Sequence, residues 1–175
     1  MKKNLLGFGL ILFAIALAAG ARFISDIPNF SPMLSIALFS GFVFKRKLFA
    51  FLIPLTAQFS TDLFLGFDTS SWSVYFSFAL IILLGMTINK ETPIIKSYAN
   101  TVIGSIIFFL LTNFSVWLLS GIYDLTISGL LLSYDLALPF YRNTLLSGLI
   151  FTSIIFIPYY FLEKSLDKKL EKIHI

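Results

Sequence analysis

Gln58 and Asp62 lie four residues apart, and so do Asn113 and Trp117. That spacing puts both members of each pair on one face of a helix. Both pairs sit inside strongly apolar runs, where an unsatisfied polar group is costly. A carboxylate at Asp62 can pair with an arginine, or, with access to water, hold a proton or a cation. An amide at Asn113 can bridge helices or meet a ligand's hydrogen-bonding groups. Arg22 and Arg142 suit a buried ion pair or an anionic ligand group. Asn29 and Asn143 add donors and acceptors, and Trp72 and Tyr123 add amphipathic rings. The candidate ligand-binding set is therefore Arg22, Asn29, Asp62, Trp72, Asn113, Trp117, Tyr123, Arg142 and Asn143. Each has a structural alternative: Asp62 tied to Arg22 or Arg142, Asn113 joining helices, the tryptophans anchoring at a membrane interface.

Catalysis has little to work with. Cysteine is absent, and the one histidine, His174, falls in a polar tail. Disulfides, thiolate chemistry and a His-based metal site or triad are not expected, and no cofactor is implied. HExxH, GxSxG, Walker and CxxC patterns are missing. Asp26, Asp68, Asp124 and Asp135 sit in loop-like surroundings, so Asp62 has no obvious acidic partner.

The elements that must position these groups are set by composition. The 175 residues are 58% hydrophobic and 13% charged, with 21 Phe against 13 Lys plus Arg. Mean hydropathy is +0.92. A soluble domain is roughly 25% charged, so lipid is the expected solvent and an all-α integral membrane protein the expected fold. The formal charge of +4 does not point to nucleic acid, because the charges fall in short clusters between apolar runs. Six spans are expected, at 5–21, 30–44, 48–65, 72–88, 98–119 and 139–162, followed by a charged cytoplasmic tail, 163–175. The start, MKKN before an apolar run, looks like a signal peptide but has no convincing cleavage site before Arg22, so it is read as the first span. Pro28 and Pro32 leave only twelve apolar residues for the second, which is expected to be short or irregular. Pro54 should kink the third or free a carbonyl. Residues 120–138 are broken by Gly121, Asp124, Gly129 and Asp135, which suggests an outer loop with a short amphipathic or re-entrant helix; Pro139 should then open the last span. This arrangement puts eleven Lys and Arg inside and only Arg22 and Arg142 outside, with both termini cytoplasmic.

Asn29-Phe30-Ser31-Pro32, Ser60-Thr61-Asp62, Phe108-Phe109 with Thr112-Asn113 and Val116-Trp117, and Pro139-Phe140 with Asn143-Thr144 resemble an uncharacterised family of small bacterial membrane proteins. That family has NF(T/S)P, SD, FFxxTNxxVW and PFxxNT patterns; Thr61 departs from its serine. More distantly, the layout resembles the substrate-binding S components of energy-coupling factor (ECF) transporters. Those are six-helix proteins of the bacterial cytoplasmic membrane that capture vitamins or metals at the outer face. Ala14 and Ala18 match the alanine spacing with which they dock on a shared transmembrane coupling subunit driven by ATPases. The histidine-bearing N-terminal stretch of the nickel and cobalt variants is missing, so the resemblance implies a small organic ligand. Two other readings stand beside it: a structural or accessory subunit of a larger membrane complex, motivated by the abundant Phe, and, least favoured, a membrane enzyme.

Overall fold

In the computed structural model, the residues described are 9, 27–44, 46–89 and 91–171, the side chains of 65 and 166–171 excepted. The first expected span, residue 9 excepted, and with it Ala14 and Ala18, lies outside them, as does Arg22. Among the described residues the chain is all-helical: α1 (Met33–Val43), α2 (Lys47–Leu65), α3 (Ser71–Gly85), α4 (Ile95–Leu119) and α5 (Ile127–Glu171).

Helix α1 is the axis of the fold. Its sequence, MLSIALFSGFV, is apolar on every side, the pattern of a helix that is surrounded. All residues from Met33 to Gly41 are buried, and α1 touches each of the other four helices. Eleven residues span only about 16 Å. The short second element expected from Pro28 and Pro32 is thus a short helix enclosed by longer ones. At its C-terminal end Phe39 and Phe42 meet Phe156 and Tyr159 of α5 with ring centroids 5.1–5.6 Å apart, in edge and stacked geometries that aromatic quadrupoles favour.

Glycine and hydroxyl groups allow this packing. Gly41 and Gly85 bring α1 and α3 into backbone contact. A methyl group on Gly41 would fall on the carbonyl oxygen of Ile82, and one on Gly85 on that of Leu38. Ser35 donates to the Gly148 carbonyl (2.8 Å) and meets Thr152 (3.1 Å), which in turn meets Thr101 (2.8 Å). All three side chains are fully buried, so a chain of hydroxyls ties α1, α4 and α5 with its polar atoms satisfied. Buried Asn100 donates to Leu84 O (3.0 Å) and Thr87 (3.1 Å), joining α4 to the end of α3.

Pro54 lies inside α2. It has no N–H for the carbonyl four residues back, that of Ala50. Ser40 of α1 donates to that carbonyl at 2.8 Å, so the freed acceptor becomes a link between helices.

The last helix differs from its expected bounds. It begins at Ile127, not at Pro139, and runs unbroken through Pro139 and Pro158 for 45 residues, roughly 67 Å. Thr126 explains the start: its Oγ1 accepts from the Gly129 N–H (3.1 Å), the bond of an N-cap. Residues 127–136, expected as a separate amphipathic or re-entrant helix, are the first turns of α5. The linker before them is tight. Asp124 O accepts from Trp117 Nε1 (2.9 Å) and from Thr126 N (2.8 Å).

Helix α4 and residues 127–165 of α5 are long and apolar enough to cross a membrane. Only 17% and 33% of their most apolar windows are buried within the protein. Ile103, Leu110, Phe114, Leu118, Leu131 and Leu136 face outward. So much exposed apolar surface is out of place in water and points to membrane association.

Candidate ligand-binding cavity

Where α2 ends and α1 begins, the helices diverge around a cavity of about 290 Å³. That is at the small end for ligand pockets, roughly 300–1,000 Å³. Segment 27–32 contributes Asn29, Phe30 and Ser31; α2 contributes Gln58 and Asp62; the α2–α3 turn contributes Asp68. Met33 and Leu34 of α1, Val74 and Phe78 of α3, Phe108 of α4 and Thr144 of α5 close it from below.

Asp62 is the most constrained polar group here. It is 6% exposed, and the four-residue spacing within α2 brings Gln58 Nε2 to its Oδ1 at 2.8 Å. Tyr75 donates its hydroxyl to Oδ2 at 2.6 Å from α3. The turn at 66–70 makes α2 and α3 a helical hairpin, with Asp62 four residues before it and Tyr75 five after it. That spacing was available in the sequence, but Tyr75 is not among the candidate residues read from it. Asp68 is ordered by its own turn. Its Oδ1 accepts from the Ser70 N–H (2.7 Å), the Ser70 hydroxyl (2.7 Å) and the Ser71 hydroxyl (3.3 Å). The Ser70 hydroxyl, with the Ser70 and Ser71 backbone and the Ser71 hydroxyl, holds its carboxyl below the usual carboxylate range, against a smaller opposing effect of burial.

Segment 27–32 is held over the cavity from two sides. Asn143 of α5 donates its Nδ2 to the Pro28 carbonyl (3.0 Å), and Phe30 packs edge-on against Phe151 at 6.0 Å. Asn29 between them has φ 60°, a left-handed conformation that asparagine tolerates better than most residues.

Of the nine candidate residues, Asn29 and Asp62 line the cavity, and Asn143 secures its rim. Asn113 is half-buried on α4 and donates to Phe109 O of its own helix (2.8 Å), outside the lining. Trp117 and Tyr123 belong to the α4–α5 linker end, Trp72 is half-exposed on α3, and Arg142 is exposed on α5. Arg22 lies outside the described residues. The sequence reading missed Asp68, whose Asp-x-Ser-Ser pattern before a helix is a recognisable side-chain-to-backbone turn. It also missed Phe78, which no local pattern separates from the other phenylalanines, and it gave no site role to Phe30 and Phe108, which stand only in the patterns of the family resemblance. Among the described residues no group of three or more His, Cys, Asp or Glu could hold a metal ion.

Compared with the curated proteins and with the solved structures, the chain has no significant match. A family profile does match, over residues 2–170, nearly the whole length. The chain therefore belongs to the family described as "Family of unknown function (DUF6580)".

Proposed function

We propose that this protein is a membrane-embedded binding subunit that captures a small organic molecule at the outer face for uptake. The observation that carries the reading is the cavity of about 290 Å³, with a buried, pre-oriented carboxylate at Asp62 and an aromatic floor. A few convergent polar groups over an apolar floor are what small-molecule sites have in common. The proposal includes six spans with both ends cytoplasmic, the first being residues 5–21. Two outward-facing apolar helices and the positive-inside distribution of Lys and Arg support it. Ala14 and Ala18 would dock on a transmembrane coupling subunit driven by ATPases, as in the S components the layout resembles.

Protein purified in mild detergent should release a small organic molecule on denaturation, detectable by mass spectrometry. Ser71→Trp, which fills the cavity from its rim, should abolish that retention while the protein stays folded. Ala14→Trp should break partner association and leave binding intact. If repeated preparations carry no ligand, and the chain instead purifies in a stoichiometric membrane complex, the second reading replaces the first: an accessory subunit whose exposed phenylalanines and leucines pack on neighbouring proteins.

A further inference from the structure

The cavity has two unlike walls. Asn29, Ser31, Gln58, Asp62, Asp68 and Ser71 form a polar crescent from segment 27–32, α2 and the α2–α3 turn. Opposite stand Met33, Leu34, Val74, Phe78 and Phe108, with Phe78 and Phe108 5.5 Å apart between centroids. Among the described lining residues there are two carboxylates and no Lys, Arg or His. Arg142, one of the two basic residues that pointed to an anionic ligand, is exposed and does not line the space.

The two carboxylates have different roles. Asp62 is oriented by Gln58 and Tyr75 from two helices. Asp68 takes its three serine hydrogen bonds on Oδ1, and among the described residues none reaches Oδ2. A carboxylate has about four lone-pair sites, so Asp68 keeps acceptor capacity at the mouth of the cavity. An anionic ligand would meet like charge there; a cationic one would gain from it. The floor suits a flat apolar body, because phenyl faces attract aromatic edges and cations. The volume leaves room for little more than one fused ring system with a short side arm.

Resting on the binding-subunit reading above, we infer that the cavity selects a small monocationic amphiphile, its protonated amine held at the Asp68 side of the polar crescent and its flat apolar body laid on Phe78, Phe108 and Met33.

The test uses three probes that share one ring and differ in charge: tryptamine, tryptophol and indole-3-acetate. Each is titrated at neutral pH into the full chain in lipid nanodiscs, with Ser71→Trp nanodiscs subtracted as the blocked-cavity background. Tryptamine should bind about tenfold or more tighter than tryptophol, with indole-3-acetate weakest. Asp68→Asn should remove the advantage of tryptamine while tryptophol affinity stays within about threefold. Tightest binding of the anion, or a tryptamine preference that survives Asp68→Asn, overturns the inference and leaves the binding-subunit reading standing. If no probe binds, the ligand released on denaturation decides: an amine supports the inference and a neutral or acidic molecule overturns it. Protein that binds no probe and releases no ligand overturns both.

Discussion

Pro54 costs α2 one hydrogen bond, and the protein recovers it by lending Ser40 from the next helix. Ser40→Ala should therefore leave the Ala50 carbonyl unsatisfied in a buried place, at about 1–3 kcal/mol. Adding Pro54→Ala restores an N–H to the same carbonyl, so the double variant should recover most of the loss. Thermal unfolding of the four proteins of the cycle measures this, and a double variant no more stable than Ser40→Ala rejects the link. The freed carbonyl was legible in the sequence, since a proline in an apolar run must release one; the identity of its donor was not, because Ser40 and Ala50 meet only across a turn. Asp62 was legible for the same reason, as the lone carboxylate of an apolar run. Asp68 was not, because its interest comes from the cavity beside it. Its pH behaviour has a definite sign. The folded-state pKa is lowered, so the stabilisation is complete above the ordinary carboxylate value, about 3.9, and is lost as pH falls through the lowered one. The melting-temperature gap between the native protein and Asp68→Asn should accordingly narrow as pH falls below about 4. A gap that widens on acidification contradicts the hydrogen bonds assigned to this side chain.

Between elements, backbone contact is the hardest constraint to relax. Gly41→Ala and Gly85→Ala each drive a methyl group into a main-chain carbonyl of the facing helix, which can retreat only by moving α1 and α3 apart. Each should cost about 1–3 kcal/mol or more. Gly104→Ala is the internal comparison. Its methyl group would meet Ile81 Cγ1 at 3.2 Å, a side chain that can shift, so its cost should be clearly smaller. Equal losses at all three positions in a chemical-denaturation series would mean that close approach is not what the first two supply. The positions of α2, α3 and α4 could be read from apolar runs and turn residues to within a few residues. The start of α5 could not. Pro139 looks like a helix opening, but Thr126 caps the helix thirteen residues earlier, and the following apolar turns carry it across the proline. A missing ladder bond is a local loss of about 3 kcal/mol, and packing along α4 outweighs it. Asn113 shows the converse. An amide in a long apolar run calls for a tertiary partner, yet its Nδ2 donates to the carbonyl one turn back on its own helix.

At the scale of the whole molecule, the outward-facing apolar surface and the charge distribution have to describe one orientation. Helices α2 and α3 meet at the 66–70 turn, and α4 and α5 meet at the 120–126 linker; the α3–α4 loop and the end of α5 lie at the opposite end of the bundle. Lysine and arginine concentrate at that opposite end, with Lys45, Arg46, Lys47, Lys90, Lys96 and Lys164 in sequence near it. In the proposed orientation, which the positive-inside bias favours, that end would face the cytoplasm and the cavity beside Asp68 would open outward. The absence of cysteine makes the orientation directly measurable, because every introduced thiol is the only one. Thr69→Cys and Ser120→Cys place thiols at exposed positions of the two cavity-end connections, and Glu91→Cys places one in the exposed α3–α4 loop. In intact cells a membrane-impermeant maleimide should label the first two and leave the third unmodified until the membrane is opened. Labelling in the reverse order would turn the cavity toward the cytoplasm, where it could not capture a molecule from outside. Equal labelling of all three before permeabilisation would remove the membrane-spanning arrangement itself, and the apolar faces of α4 and α5 would then require a protein partner to cover them.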